Sequence, residues 1–242
     1  NNKQNYQASL ETNCKTIAMD ITNIESVRDI FNEIKPQIVI HAAATKFVDL
    51  AERYPMECVD VNVLGSQNIA RVSIDKGVEI VVGISTDKAS PPIRNTYGLT
   101  KSLMERIFCS LGGKSKTTFC IVRYGNVAWS TGSVFPIWLQ MHKENGVIGT
   151  TGPEMRRFIF TVEDAVDLVI NCIKMNKVLN GKILSRSMKA ARIKDILKVW
   201  IKEKGGEYKK VTGRPGERND EYLIGQSEIP YTEKIIIDDK VH

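Results

Sequence analysis

Over the first 130 residues, short apolar runs alternate with segments whose apolar residues recur at helical spacing. The runs are rich in β-branched residues, which is typical of strands. In Gln37–His41 the apolar residues follow one another without alternation, which predicts a strand buried on both faces. The predicted strands are Lys15–Met19, Gln37–His41, Val78–Ser85 and Thr117–Tyr124, and the predicted helices are Ile24–Ile34 (capped from Thr22-Asn23), Cys58–Lys76 (ending at Gly77) and Tyr97–Leu111 (stopped by Gly112-Gly113).

This repeated strand–helix order predicts an α/β fold with a doubly wound parallel sheet and helices on both faces. The order loosens after about residue 130, where helical stretches are separated by short strands and by loops rich in glycine and proline. We therefore expect a Rossmann cofactor-binding domain over residues 1–130. A smaller, mainly substrate-binding lobe over residues 131–242 is expected to close over the carboxyl edge of the sheet. In this lobe we predict helices Val134–Glu144, Val162–Met175 and Ala190–Lys204 and strands Phe158–Thr161 and Lys182–Ser185.

A dinucleotide-binding sheet begins with a strand and a glycine-rich turn that holds the pyrophosphate at a helix N-terminus. The only similar spacing is Gly146-Gly149-Gly152, which we interpret as a loop because no strand precedes it. The fold is therefore expected to be incomplete at its N-terminus by on the order of 50 residues. We expect the 242 residues by themselves to bind NADP weakly.

The charge, the length of the apolar runs and the cysteine and histidine content disfavour several classes of function for this chain. The net charge of +6 is spread along the chain, which favours a small diphosphate-bearing partner over nucleic acid. No apolar run approaches the ~20 residues that span a bilayer, so no membrane segment is expected in these residues. Five scattered cysteines without a CxxC pattern and only three histidines predict neither a metal site nor disulfides. A cytoplasmic protein is the expectation.

The strongest chemical signal is Ser85-Thr86-Asp87-Lys88-Ala89 at the end of a predicted strand, followed by Tyr97 and Lys101. Side chains at the carboxyl end of a parallel strand face the ligand crevice. Tyr97 and Lys101 are four residues apart and share one face of a helix. An ammonium beside the phenol is expected to lower the pKa of Tyr97, so that it can accept a proton from a sugar hydroxyl.

Asp87 and Lys88 supply an acid and a potential base next to each other. Elimination of water from a sugar needs a proton given to the leaving hydroxyl and another taken from the neighbouring carbon. We expect Asp87 to give the first. We expect Lys88 to take the second, with its pKa lowered toward neutrality by burial.

Several motifs together resemble the UDP-N-acetylglucosamine 4,6-dehydratase family, an extended short-chain dehydrogenase/reductase group of bacterial polysaccharide and flagellin-glycan synthesis. The similarity covers nearly the whole chain in the right order. Related dTDP-glucose 4,6-dehydratases carry glutamate where this chain has Lys88. The motifs are HAAATK (41–46), VNVLGSQN (61–68), STDKA (85–89), YGLTK (97–101), VRYGNVAWSTGSV (122–134), EMRRF (154–158) and GRPGE (213–217).

The resemblance implies roles for residues that matching motifs contain. Cofactor contacts are implied for Asp20, Ile21, Ala42, Lys46, Ser85, Thr86, Tyr97, Lys101 and Val127; substrate contacts for Lys46, Asn126, Ser133, Val134, Arg157, Arg214 and Glu217; and catalytic roles for Thr86, Asp87, Lys88, Tyr97 and Lys101. The loop between Lys88 and Tyr97 is about one residue longer than in typical relatives. Because some relatives lack the tyrosine, its presence favours the branch that inverts C5.

The resulting hypothesis is a lyase that converts a UDP-N-acetylhexosamine, chiefly UDP-N-acetylglucosamine, to its 4-keto-6-deoxy product. Hydride would pass transiently to NADP, or to NAD, and a homo-oligomer is expected. A nucleotide-sugar 4-epimerase or reductase of the same fold is the nearest alternative. An anion- or RNA-binding module without catalysis is an alternative of another class.

Overall fold

The computed structural model describes residues 11–12, 14–213 and 215–242. Its centre is a four-stranded parallel sheet in the order β1-β2-β3-β8, with helices on both faces. This confirms the predicted α/β class with a doubly wound parallel sheet. The strands of this sheet are β1 (Ile38–His41), β2 (Ile80–Thr86), β3 (Thr118–Tyr124) and β8 (Ile183–Leu184).

Alternate residues of the central strands point to two different apolar clusters. On one face, Val81 of β2 and Phe119 and Ile121 of β3 pack against helices, in a cluster that includes Val27 and Phe108. On the other face, neighbouring strand residues pack in a second cluster built around Leu168 and Cys172. Burial on both faces explains why β2 and β3 are apolar without alternation. The helices are α1 (Ile24–Ile34), α2 (Val48–Arg53), α3 (Pro55–Val59), α4 (Gly65–Lys76), α5 (Thr96–Leu111), α6 (Val134–Asn145), α7 (Val162–Lys174), α8 (Asn176–Leu179) and α9 (Ile193–Lys204).

A third apolar cluster lies among the later elements, with Trp138, Ile148, Leu197 and Trp200 at its centre. Strand β8 nevertheless pairs with β3 in the main sheet, so part of the 131–242 segment belongs to the central layer. The division at residue 130 stays a prediction. The remaining strands are β4 (Asn126–Val127), β5 (Val147–Thr150), β6 (Arg156–Arg157), β7 (Ile159–Phe160), β9 (Ala191–Arg192), β10 (Glu207–Lys210), β11 (Ile236–Ile237) and β12 (Lys240–Val241).

Local sequence signals set the helix ends. The side chain of Asn23 accepts hydrogen bonds from the backbone of Glu25 and Ser26, at 3.0 and 3.3 Å, at the start of α1. Helix α4 ends at Gly77, whose left-handed φ of 69° suits glycine. A single helical stretch runs from Pro55 to Lys76, because a π-helical turn at 60–64 joins α3 to α4. The expected start at Cys58 is therefore three residues late.

Two strand predictions at the N-terminal side are wrong. Residues 15–19 form no strand, because no strand among the described residues pairs with them and backbone groups need such a neighbour. Strand β1 is not buried on both faces: Ile38 and Ile40 are 44% and 51% exposed at the edge of the sheet. The interpretation of Gly146-Gly149-Gly152 as a loop is also wrong, because Gly146 ends α6 and Gly149 lies in β5.

Candidate active site

The carboxyl ends of the central strands open onto a cleft of about 380 Å³. One wall comes from the segment after β1, another from the start of α6, and the floor from the turn after β2 and the segment 216–221. The cleft contains eight of the residues predicted to bind ligands or catalyse: Lys46, Lys88, Asn126, Val127, Ser133, Val134, Arg157 and Glu217. The structure therefore gathers residues that are far apart in the sequence.

Asp87, Lys88 and Glu221 form an ionic cluster at the floor of this cleft. The ammonium of Lys88 lies 3.1 Å from Oδ1 of Asp87 and 2.9 Å from Oε1 of Glu221. The Asp87 side chain is fully buried, and those of Glu221 and Lys88 are 3% and 17% exposed. The second carboxyl oxygen of Asp87, Oδ2, is buried and has no hydrogen-bond partner.

This cluster changes the expected protonation states. Burial raises the pKa of Asp87 to about 7; Lys88 counteracts this shift, and the negative charge of Glu221 adds to it. Burial by itself lowers the pKa of Lys88, but the charges of Asp87 and Glu221 outweigh it, so the pKa of Lys88 is raised. The expectation of a lowered Lys88 pKa is therefore wrong, because the lysine is buried together with two carboxylates.

Tyr97 lies beside the same cluster. Gly98, the next residue, makes this approach possible, because a Cβ there would lie 2.2 Å from the backbone oxygen of Lys88. The side chain of Thr86 acts to lower the pKa of Tyr97, and the hydroxyl of Thr86 donates to Oδ1 of Asp87 at 3.0 Å. Thr86 thus links the phenol to the buried acid.

The pKa of Tyr97 is raised to about 12, mainly by burial. The expectation that Lys101 lowers it is wrong: the cation that counteracts the shift is Lys88. The amine of Lys101 is buried instead beside Glu105 and Cys58, and burial lowers its pKa to about 8. Tyr97 and Lys101 lie on the same helix, but the phenol hydroxyl and the amine have different neighbours.

The predicted cofactor residues lie along the strand ends beside the cleft. Ser85 is buried and donates a hydrogen bond of 2.5 Å to Glu105, while Ala42 is exposed just after β1. The side chain of Asp20 accepts hydrogen bonds from Thr22 in the turn before α1, and Ile21 packs into the core. The amine of Lys46 donates to the backbone oxygen of Thr131 at 2.7 Å.

The predicted substrate residues differ in how many of their polar atoms already have hydrogen-bond partners within the protein. Ser133 begins α6, and its buried hydroxyl oxygen has no hydrogen-bond partner. Arg157 donates to the backbone oxygens of Arg156, Arg218 and Asn219, so most of its donors hold the segment 218–219. Arg214 lies outside the described residues.

Sequence reasoning missed three charged residues of the cleft, Asp49, Arg218 and Glu221. Arg218 and Glu221 lie within four residues of the end of the GRPGE motif, and that proximity is the signal that could have pointed to them. Asn95 was missed as well: it caps α5 by accepting from Gly98 at 2.7 Å and donates to the backbone oxygen of Gly216 at 3.1 Å. This side chain joins the start of α5 to the 216–221 segment.

Comparisons with known proteins agree with this architecture. The profile of the family described as "Polysaccharide biosynthesis protein" matches residues 1–237. An uncharacterized membrane protein of Methanocaldococcus jannaschii is 38% identical over 89% of this chain and 67% of its own length. A UDP-glucose 4-epimerase of Rickettsia bellii is 34% identical, over 89% of this chain and 63% of its own length. The chain thus spans about two thirds of the length of these relatives.

Solved structures show the same fold. The structure of Pen from Bacillus thuringiensis superposes with a TM-score of 0.89 and 30% identity, covering all of this chain and 78% of that one. A UDP-glucose 4-epimerase of Thermus thermophilus in complex with NAD gives a TM-score of 0.72 at 20% identity, over 88% of this chain and 77% of that one. None of the helices in the described ranges is both long and apolar enough to span a membrane.

Proposed function

Because the chain belongs to the polysaccharide biosynthesis protein family, we propose that it modifies a nucleotide sugar and, more specifically, that it is a 4,6-dehydratase of a UDP-N-acetylhexosamine. The observation that carries the proposal is the buried cluster of Asp87 and Lys88 beside Tyr97 at the floor of the cleft. A 4-epimerase needs an acid–base group at C4 only. A dehydratase also needs groups that exchange protons at C5 and at the C6 oxygen.

The cleft offers features suited to the UDP part. Helix α6 begins at the cleft, and the N–H groups of a first helical turn favour a phosphate. The unpartnered hydroxyl of Ser133 lies at that helix start. Lys46 and Arg218 add positive charge to the lining. We propose that the diphosphate lies along this wall, with the hexose toward Lys88.

The residues at the strand ends fit the nicotinamide end of a dinucleotide. Ala42 and Ala43 are small and exposed after β1, which leaves room beside the strand end. The buried amine of Lys101 and the hydroxyls of Ser85 and Thr86 provide polar groups at the same edge. NADP, or NAD as the alternative, would supply when bound the hydride acceptor for C4 and the hydride that returns to C6.

In this proposal Tyr97 takes the proton of the 4-hydroxyl and gives its own proton to the water of the cleft, because Asp87 already carries a proton near neutral pH. Asp87 carries a proton near neutral pH and gives it to the departing 6-hydroxyl. Lys88 lines the cleft and removes the proton from C5. Its ammonium proton must first pass to the water of the cleft, because Asp87 and Glu221 hold Lys88 as an ammonium in the free protein. Lys88 then returns a proton to C5 when the hydride reaches C6.

The proposal is tested by incubating the protein with UDP-N-acetylglucosamine and NADP or NAD in deuterated water. Dehydration places deuterium at C5 and forms a 4-keto-6-deoxy sugar, whereas 4-epimerisation leaves C5 unlabelled. Lys88→Ala should abolish the label, and Lys143→Ala, on the far side of α6, should retain it. The epimerase alternative, which the Rickettsia relative favours, predicts an unlabelled 4-epimer from both proteins.

A further inference from the structure

Hydrogen bonds and an ion pair to β6 set the position of the segment that contains Glu221. The backbone of Arg156 in β6 donates to the oxygen of Asn219 at 2.9 Å, and Arg156 pairs with Asp220 at 2.7 Å. Arg157 donates to the backbone oxygen of Arg218 at 2.8 Å. These contacts fix the segment 218–221 against β6, and Glu221 then points to the cleft floor.

Both carboxyl oxygens of Glu221 have partners that the proposed reaction uses. Oε1 lies 2.9 Å from the ammonium of Lys88, a shorter contact than the one from Asp87. Oε2 lies 3.4 Å from Nδ2 of Asn126 and 3.7 Å from Nε of Arg157. Glu221 therefore connects the candidate base to two predicted substrate residues.

The two carboxylates and one ammonium at the cleft floor carry one excess negative charge, which a single bound proton neutralises. Two carboxylates, from Asp87 and Glu221, lie within hydrogen-bonding distance of one ammonium, in a region with almost no access to water. Glu221 also faces the cation of Arg157, whereas Lys88 is the one cation that acts on Asp87 among the described residues. A proton shared by the two acids is therefore more stable on Asp87.

From this arrangement we infer that Glu221 is a positioning residue: it holds Lys88 at the cleft floor and keeps the proton on Asp87. The inference rests on the proposed dehydration for its mechanistic meaning. The pKa of Glu221 is lowered to about 2 by Lys88 and Arg157 in spite of its burial, which agrees with a permanently ionised partner.

The decisive experiment titrates Asp87 directly, by ¹³C NMR of protein labelled at the aspartate carboxyl carbons, with Asp87→Asn to assign its signal. In the unsubstituted protein the signal should titrate near pH 7. Glu221→Gln removes a like charge, so the midpoint should fall by about one to three pH units. The control is Glu144→Gln, which removes an exposed acid on α6 that accepts from Gln140 away from the cleft floor and should leave the midpoint unchanged.

Dehydration is measured on the same proteins. Glu221→Gln should lower kcat at least tenfold at pH 7 and move the alkaline limb of its pH profile downward, and Glu221→Asp should restore part of both. An unmoved Asp87 midpoint in Glu221→Gln overturns the inference whatever the activity. Absence of dehydration in the unsubstituted protein, with the midpoint shift present, overturns the proposed function and leaves the inference standing.

Discussion

Arg123 is buried between two carboxylates, and we predict that these two acids contribute very differently to stability. The guanidinium on β3 donates to both oxygens of Glu105, at 2.9 and 2.7 Å, and to both oxygens of Glu228, at 2.8 and 2.9 Å. Glu105 is 4% exposed and also accepts from Ser85, whereas Glu228 is 30% exposed. The perturbations are Glu105→Ala and Glu228→Ala.

The difference in exposure sets the magnitudes. Removal of Glu105 takes two acceptor oxygens from a buried guanidinium and one from the Ser85 hydroxyl, and breaking a buried pair costs about 3–5 kcal/mol. Water can reach the place of Glu228 and solvate Arg123, so its loss is expected to cost about 1–2 kcal/mol. The predicted gap is therefore at least about 1 kcal/mol, with Glu105→Ala the less stable.

Urea unfolding followed by circular dichroism measures both values. The slope of the free energy of unfolding against urea must agree among the three proteins for the comparison to hold. Equal losses, or a larger loss for Glu228→Ala, would refute the reasoning that burial decides the contribution of each acid. Glu105→Gln provides a check on shape: it keeps the side-chain volume and one acceptor oxygen and should lose less than Glu105→Ala.

Two further predictions follow from buried and strained positions. His41 is buried, and its pKa is lowered to about 3, first by burial and then by Lys101. Because the unfolded chain binds a proton that the folded state excludes, the stabilisation from neutral His41 is complete above about pH 6.5 and is lost as the pH falls toward 3. In urea titrations, His41→Gln should therefore reduce the dependence of the unfolding free energy on pH between pH 4 and 6 by up to about 1.4 kcal/mol per pH unit. Gly216 has a φ of 79°, and a Cβ there would lie 2.9 Å from Val48 and 3.0 Å from Asn95. Gly216→Ala should therefore weaken UDP-sugar binding in calorimetry and lose more stability than the control Gly77→Ala, which has a similar φ but open space around it and should lose about 1 kcal/mol. Equal losses of stability in the two variants would show that the contacts around Gly216 contribute nothing.

Local features could be predicted well from the sequence. The caps at Asn23 and Gly77 act through neighbouring backbone groups, so α1 and the end of α4 lie where expected. The central strands β2 and β3 were also found within two residues, because burial on both faces leaves a continuous apolar run. The order of these elements was sufficient for the fold class.

Features that depend on distant neighbours could not be predicted. Residues 15–19 have a strand-like composition, but a strand exists only where a partner supplies its hydrogen bonds. The exposure of Ile38 and Ile40 depends on what covers the edge of the sheet. The direction of a pKa shift depends on burial and on every charge nearby, so Tyr97 and Lys88 were both expected to shift the wrong way.

The same limit explains why Glu221 was missed. Asp87 and Lys88 are adjacent in the sequence and look like a complete acid–base pair. In the fold, the carboxylate of Glu221, from the C-terminal region, lies beside this pair and raises the pKa values of both Asp87 and Lys88. The STDKA motif therefore predicts the place of the proposed chemistry, but not the protonation of its members.

The cost of this cluster is itself an argument about function. Two carboxylates and an ammonium under the cleft floor lose hydration worth several kcal/mol per ion, and an apolar replacement of similar volume is often neutral or stabilising. A 4-epimerase, by comparison, would need only the acid–base group that we propose for Tyr97 at C4. A reaction that also removes a proton at C5 and protonates an oxygen at C6 does need acid and amine groups next to the hexose. The proposed elimination would give these buried charges a use, and the deuterium label at C5 is the measurement that decides between elimination and epimerisation.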